Sequence, residues 1–412
     1  MKKIGYLILF SWLCCGCILP REVDKNTVLK EEKPVYESIL PETKEEKETQ
    51  SETSEFYQET QMSNETKAKL MRQQQNLYAF SNLEITQQNL YVEMLYALTN
   101  YVEEMQLSTL NTKEIDKVFQ CVMIDHPEIF YADGYSFVKY MLGNKVNKIT
   151  FSGTYLYDRE EKATRELLIE ETAEEIIQGI DAQASDYEKV KYIYETIIHR
   201  TEYVTGAEDN QNICSVLISN RSVCQGYAKA AQYLLQKMGV PVSLVTGTVH
   251  NGDGHAWNLV TIDNEYYYVD VTWGDASYQK EKDNIEGKID YISKITYDYL
   301  CITTQELLKT HRFSDVVSWP VCTATKANYY RKEGAYFETF DSQQLQELIN
   351  RYKAEGRECI TLKCANEVLY EKMVEKLLLK EQEIFHYLSP EDKKISYTNS
   401  SGNYSITFWI LR

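Results

Sequence analysis

The sequence predicts an α+β protein built from several units, and three observations carry that reading. The chain has 412 residues at 43% hydrophobic content, more than one compact core accommodates. Its centre changes period: Tyr227, Ala228, Ala231, Leu234, Leu235 and Met238 recur at helical spacing, and two strand-like runs, 255–262 and 265–272, follow. The last third alternates strand and helix, which predicts a small sheet covered by two helices.

Taken in order, residues 1–17 read as an export signal. Lys2 and Lys3 precede a short apolar run, Ile4 to Leu13, which is too short to span a bilayer comfortably. The run ends in Gly16-Cys17, which resembles the lipobox of bacterial lipoproteins, although Cys14 stands where Leu is usual. That resemblance implies a lipid on Cys17, attachment to the outer face of a cell membrane and no transmembrane helix in the mature protein. Residues 18–65 are rich in Glu, Lys, Thr, Ser and Gln, as in Lys44-Glu45-Glu46-Lys47-Glu48. They bury too little apolar surface to offset their ordering entropy and read as a disordered tether.

Residues 66–182 read as an N-terminal α+β unit. Its first strong helix begins near Thr86, with 86–89 as the capping stretch and Leu90, Met94, Leu95, Leu98 and Val102 as the apolar stripe. A helix over 112–121, strands over 135–141 and 148–155, and a charged helix over 159–180 follow. His126 shows no partner and reads as a surface or packed residue. In the next unit, 183–320, Asp186 is expected to cap a helix over 187–200. Residues 321–412 read as a C-terminal α/β unit, with strands near 336–339, 358–363, 394–398 and 404–411 and helices over 342–354 and 367–378. This unit holds no cluster of His and acids.

A net charge of -18 argues against nucleic acid, since no basic stripe is available to neutralise phosphates. The ten Cys divide into three in the leader and seven beyond it. An odd seven leaves a free thiol if the others pair. No Cys or His spacing matches a zinc set. Asp253 and Asp275 are too isolated for an acidic calcium loop, and no cofactor is expected.

The chemistry gathers on three motifs. Ser222-Val223-Cys224-Gln225-Gly226-Tyr227-Ala228 reads as a helix start with Ser222 as the cap and Cys224 in the first turn. There the unpaired amides and the helix dipole lower a thiol pKa and can hold an oxyanion. Gly239 and Pro241 close that helix. Asp263-Asn264 is a two-residue turn, so Ile262 pairs with Glu265 and His255 opposes Thr272. His255 and Asp270 then share a face as diagonal neighbours, with Trp257 on the same face. A one-residue change in the loop breaks this parity. Cys224 is the candidate nucleophile, His255 the base and later acid, and Asp270 the residue that orients the imidazole. Gln225 and Tyr227 are candidate side-chain oxyanion donors.

Val223-Cys224-Gln225-Gly226-Tyr227-Ala228, His255-Ala256-Trp257-Asn258 and Val269-Asp270-Val271-Thr272-Trp273, in this order and at these short intervals, resemble the transglutaminase-like superfamily, especially its bacterial members. The resemblance is specific over about residues 185–275 and weaker at Asp125–Tyr131 and Tyr299–Arg312. It implies a papain-like core, with the Cys helix packed on an antiparallel sheet, and a Cys224–His255–Asp270 triad. The implied chemistry is acyl transfer or hydrolysis at protein or peptide amides through a thioester, at the cell surface. Two other readings stand beside it: a non-catalytic protein that binds peptide or cell wall, and a cell-wall amidase or peptidase. The sequence leaves the oligomeric state open.

Overall fold

The computed structural model describes residues 2–8, 62–142, 144–275, 295–357, 359–389 and 395–410. The chain is α+β and divides into two interleaved units. The first takes residues 1–183, 200–259 and 310–320, and the second takes 184–199, 260–309 and 321–412. Cys17 and the tether expected over 18–65 lie outside the described residues up to position 61. Among the described residues no helix is long and apolar enough to cross a membrane.

In the first unit, β1 (Lys2–Ile8), β2 (Met105–Gln106), β3 (Ala132–Leu142) and β4 (Lys145–Tyr155) form an antiparallel sheet in the order β1-β3-β4-β2. Two helices, Ile85–Asn100 and Thr112–Asp125, pack on one another beside it. Phe119 joins them to the sheet, with its ring 4.7 Å from Tyr135 and 6.3 Å from Phe151. The first of these helices is capped at Glu84, through a reciprocal box with Gln87, and not within 86–89. The second runs four residues beyond the expected end, because Val122, Met123 and Ile124 continue its buried face.

His126 follows that helix and is buried, with Nδ1 2.6 Å from Glu128 Oε1. It therefore has the partner that the sequence did not reveal. Asp125, beside it, accepts hydrogen bonds from the amides of Ala79 and Phe80 and from the Tyr91 hydroxyl, at 3.0, 2.8 and 3.0 Å.

The strands β5 (Glu202–Tyr203) and β6 (Arg221–Ser222) pair in parallel and lead into the helix Cys224–Lys237. Tyr227, Ala228, Ala231, Leu234 and Leu235 bury its apolar face. The helix ends at Met238, and the Val240 amide returns to the Leu235 carbonyl at 3.0 Å. Next come β7 (Val242–Val249) and β8 (Gly254–Ile262); β8 continues past Leu259 into the second unit and turns into β9 (Glu265–Val269). Much later the chain returns to the first unit as β10 (His311–Phe313), antiparallel to β7 with His311 opposite Val249. Gly247 permits this return, since a Cβ there would meet the Arg312 carbonyl oxygen at 1.9 Å.

In the second unit, the turn residues Asp263 and Asn264 both have positive φ, 52° and 62°, the signature of a type I′ hairpin. The helix Asp186–Arg200 is capped by Ser185, whose hydroxyl and amide both donate to Glu188 Oε2 at 2.7 and 2.8 Å. Asp186 lies inside the helix, one residue beyond the position expected for it. The Tyr194 hydroxyl of that helix donates to the Thr296 carbonyl at 2.7 Å.

The C-terminal part follows the expected alternation. Strands β11 (Tyr336–Phe337), β12 (Cys359–Cys364), β13 (Ile395–Ser400) and β14 (Ser405–Ile410) lie in the order β11-β12-β14-β13. The helices Ser342–Ala354 and Glu367–Val374 accompany them, and the second continues as a wider turn through Leu379.

Candidate active site

Cys224 is the first residue of its helix and is 1% exposed. Ser222 does not cap that helix. The cap position falls to Val223, which supplies no side-chain hydrogen bond. Ser222 is occupied elsewhere: its hydroxyl is 2.6 Å from Ser215 Oγ, and Ser215 donates to the Asn212 carbonyl at 2.8 Å. The consequence is chemical. A helix start without a cap keeps its first-turn amides for another anion.

Cys121, Cys214, Cys301, Cys322 and Cys364 are buried and Cys359 is half-buried, and none of these six is in a disulfide. Burial pushes the Cys121, Cys214 and Cys364 thiols up to about 12 and Cys322 up to about 11, and it raises Cys301 as well. None of these five is a thiolate near neutral pH.

His255 lies near the start of β8 and is 2% exposed. Its ring is 6.0 Å from that of Trp257, two residues along on the same face of the strand. The next residue, Asn258, is fully buried and donates from Nδ2 to the Ala228 carbonyl at 2.9 Å. That bond ties the strand of His255 to the first turn and a half of the Cys224 helix. The thiol and the imidazole thus both belong to the first unit, on elements joined by a buried hydrogen bond.

Sequence reasoning missed one residue here. His311, on β10, is fully buried; its ring lies 5.3 Å from His255 and 4.9 Å from Trp257, edge-on to the indole. Its Nδ1 is 2.8 Å from the Thr310 hydroxyl. A three-residue strand has no readable period, so the weak resemblance noted at Tyr299–Arg312 was the sole sequence signal for it.

Asp270 belongs to the second unit and is 1% exposed. The strand expected to continue to Thr272 ends at Val269. Asp270 instead caps a short helix, Val271–Gly274, with Oδ1 accepting from the Trp273 amide at 3.0 Å. An Asp placed where a strand can turn into a helix satisfies the new amides, and this favours the switch. Its own amide donates to the Tyr299 carbonyl at 3.0 Å. The carboxylate is therefore oriented by its cap bond to the Trp273 amide, and the backbone at 270 by the Tyr299 carbonyl. Tyr227, the other oxyanion candidate, uses its hydroxyl on the Thr201 carbonyl at 3.2 Å and serves packing.

Comparison with known proteins places this region. A sequence model of the transglutaminase-like superfamily matches residues 170–271. Kyphoscoliosis peptidase of Mus musculus is 24% identical over 185 residues, and that of Homo sapiens is 26% identical over 190; each match covers 40% of this chain. The chain spans about a quarter of the length of these curated relatives, 26% and 27%. Among solved structures, a TGase is 18% identical, covering 39% of this chain and 47% of that one, with a TM-score of 0.24. The periplasmic domain of TgpA from Pseudomonas aeruginosa is 13% identical, covering 38% and 76%, with a TM-score of 0.23. The stretch that matches the transglutaminase-like superfamily, residues 170–271, contains Cys224, His255 and Asp270.

Proposed function

We propose that this protein is a cysteine acyltransferase or hydrolase that acts on protein or peptide amides through Cys224, His255 and Asp270. The observation that carries the reading is the uncapped, buried start of the Cys224 helix. A thiol at that position is acidified by the helix dipole, and the amides beside it are placed for an oxyanion. His255 takes the thiol proton, and the thiolate attacks the amide carbonyl carbon. The tetrahedral oxyanion is held at the helix start. The C–N bond then breaks, with the leaving amine protonated by the imidazolium, and a thioester remains on Cys224. Water or a second amine attacks that thioester and restores the thiol. Asp270 orients and stabilises the imidazolium.

We also propose export and anchoring through a lipid on Cys17, which would set the substrate among proteins or wall peptides outside the cell. The motif at Gly16-Cys17 supports this. A mass measurement of the membrane-extracted protein tests it, with an unmodified Cys17 as the refuting result.

The deciding experiment alkylates the reduced protein with iodoacetamide across pH. An enzyme gives Cys224 labelling that persists well below the ordinary thiol range and is lost in His255→Ala. Labelling at the rate and pH midpoint of free cysteine rejects the acyl-transfer reading.

A further inference from the structure

Gln225 follows the candidate nucleophile and is fully buried, yet neither Nε2 nor Oε1 has a hydrogen-bond partner among the described residues. A carboxamide closed to water with both ends unpaired is a standing cost to the fold, and such groups are rare in native proteins. The other glutamines on this face of the helix show the contrast. Gln232 and Gln236 stand seven and eleven positions on and donate from Nε2 to the Ile124 and Asp125 carbonyls at 2.7 and 3.2 Å, leaving Oε1 of Gln232 unpaired. The polar stripe is thus used structurally at its far end and unpaired at the end beside Cys224.

Direction supports a role at that end. The Cα–Cβ bond of a helical residue tilts toward the helix N-terminus. A side chain at the second helical position therefore leans toward the same uncapped first turn that begins with the thiol.

We infer that the Gln225 carboxamide is a docking group for an amide of the acyl donor, next to the bond that Cys224 attacks. A carboxamide donates through nitrogen and accepts through oxygen, so its natural complement is another amide: a neighbouring peptide group or a carboxamide side chain. Gln225 is then a specificity residue that selects amide-bearing acyl groups. The inference rests on the acyl-transfer reading and deepens it. Cys224 and Gln225 are 1% and 0% exposed, so docking requires local opening at the helix start.

The test compares acylation of the reduced protein by two p-nitrophenyl esters, acetate and N-acetylglycinate, of which the second alone carries an amide. In each case the thiolate attacks the ester carbonyl, the C–S bond forms, the C–O bond breaks and p-nitrophenolate leaves, so both reactions are read at one wavelength. The rates are normalised to those of free cysteine. The wild type prefers N-acetylglycinate, and Gln225→Leu lowers that preference by about tenfold, the discrimination expected when one buried amide pair is lost. Gln225→Met, unbranched and close in volume, replaces Gln225→Leu if the branched side chain does not fold. A preference that survives the substitution in an otherwise reactive protein overturns the docking role alone. A wild type that reacts with both esters no faster than free cysteine overturns the nucleophile, and the docking role with it.

Discussion

Gly226→Ala sets two physical effects against each other two residues from the candidate nucleophile. Helix propensity alone favours the alanine by about 1 kcal/mol. Space opposes it, since a Cβ at 226 would lie 2.0 Å from Ser222 Oγ, 2.5 Å from Ser215 Oγ and 3.1 Å from the Asn210 carbonyl oxygen. The two hydroxyls cannot simply rotate away, because they are bonded to one another and Ser215 also holds Asn212. Breaking that buried pair costs about 1 kcal/mol per net hydrogen bond, more where a hydroxyl is left unpaired, and overpacking adds about 1–3 kcal/mol. Sterics therefore win, and Gly226→Ala destabilises the first unit by about 1–3 kcal/mol once the propensity gain of about 1 kcal/mol is subtracted. A urea titration of the reduced protein followed by tryptophan fluorescence reads this as a lower midpoint at unchanged slope. Removing the obstructing oxygens with Ser215→Ala and Ser222→Ala recovers part of the loss, and the cycle gives a coupling energy of opposite sign to the single change. A Gly226→Ala protein as stable as the wild type, or more stable, refutes the packing argument.

Other expectations follow from single sites. Burial pushes the Asp125 carboxyl up to about 6, although His126 and the three donated hydrogen bonds pull the other way. A carboxyl raised in the folded state adds stability below its unfolded pKa near 4 and loses it as pH rises to about 6; the whole difference is about 3 kcal/mol. Asp125→Asn removes that pH dependence, so the stability difference between wild type and variant narrows or reverses by about this amount across pH 4–6; a constant difference refutes it. Asn264 has φ 62°, a conformation that costs a β-branched residue about 1–2 kcal/mol. Asn264→Val therefore lowers the unfolding midpoint, whereas Asn264→Gly leaves it near the wild-type value; equal midpoints for both reject the turn assignment.

The parts of the fold that were legible are those governed by local periodicity. The Cys224 helix, the Asp263-Asn264 turn and the Ser342–Ala354 helix all follow from spacing and turn residues. The parts that were not legible depend on contacts between distant residues or on competing local bonds. Ser222 had the chemistry of a cap, but Ser215, seven residues earlier, holds its hydroxyl. Asp270 sat in a run of Tyr and Val that reads as strand, yet its carboxylate serves the Trp273 amide and ends the strand at Val269. The N-terminal helix at Ile85 took an acidic cap at Glu84, because Gln87 completes the box from inside. His311 reaches the indole of Trp257 only through a strand pairing across sixty residues, which no window of sequence contains.

That late strand has a consequence for how the protein is made. The first unit is closed by residues 310–320, which bring His311 to Trp257 and also stack Trp319 on Tyr78, 5.1 Å apart, while the Tyr78 hydroxyl donates to the Ser318 carbonyl. A chain emerging from the ribosome therefore presents Cys224 and His255 well before the last wall of their unit exists. Such a long-range closure is slow relative to local helix formation. During synthesis the His255–Trp257 end of the unit is covered last, so the order of translation itself delays the moment at which the imidazole gains its full surroundings.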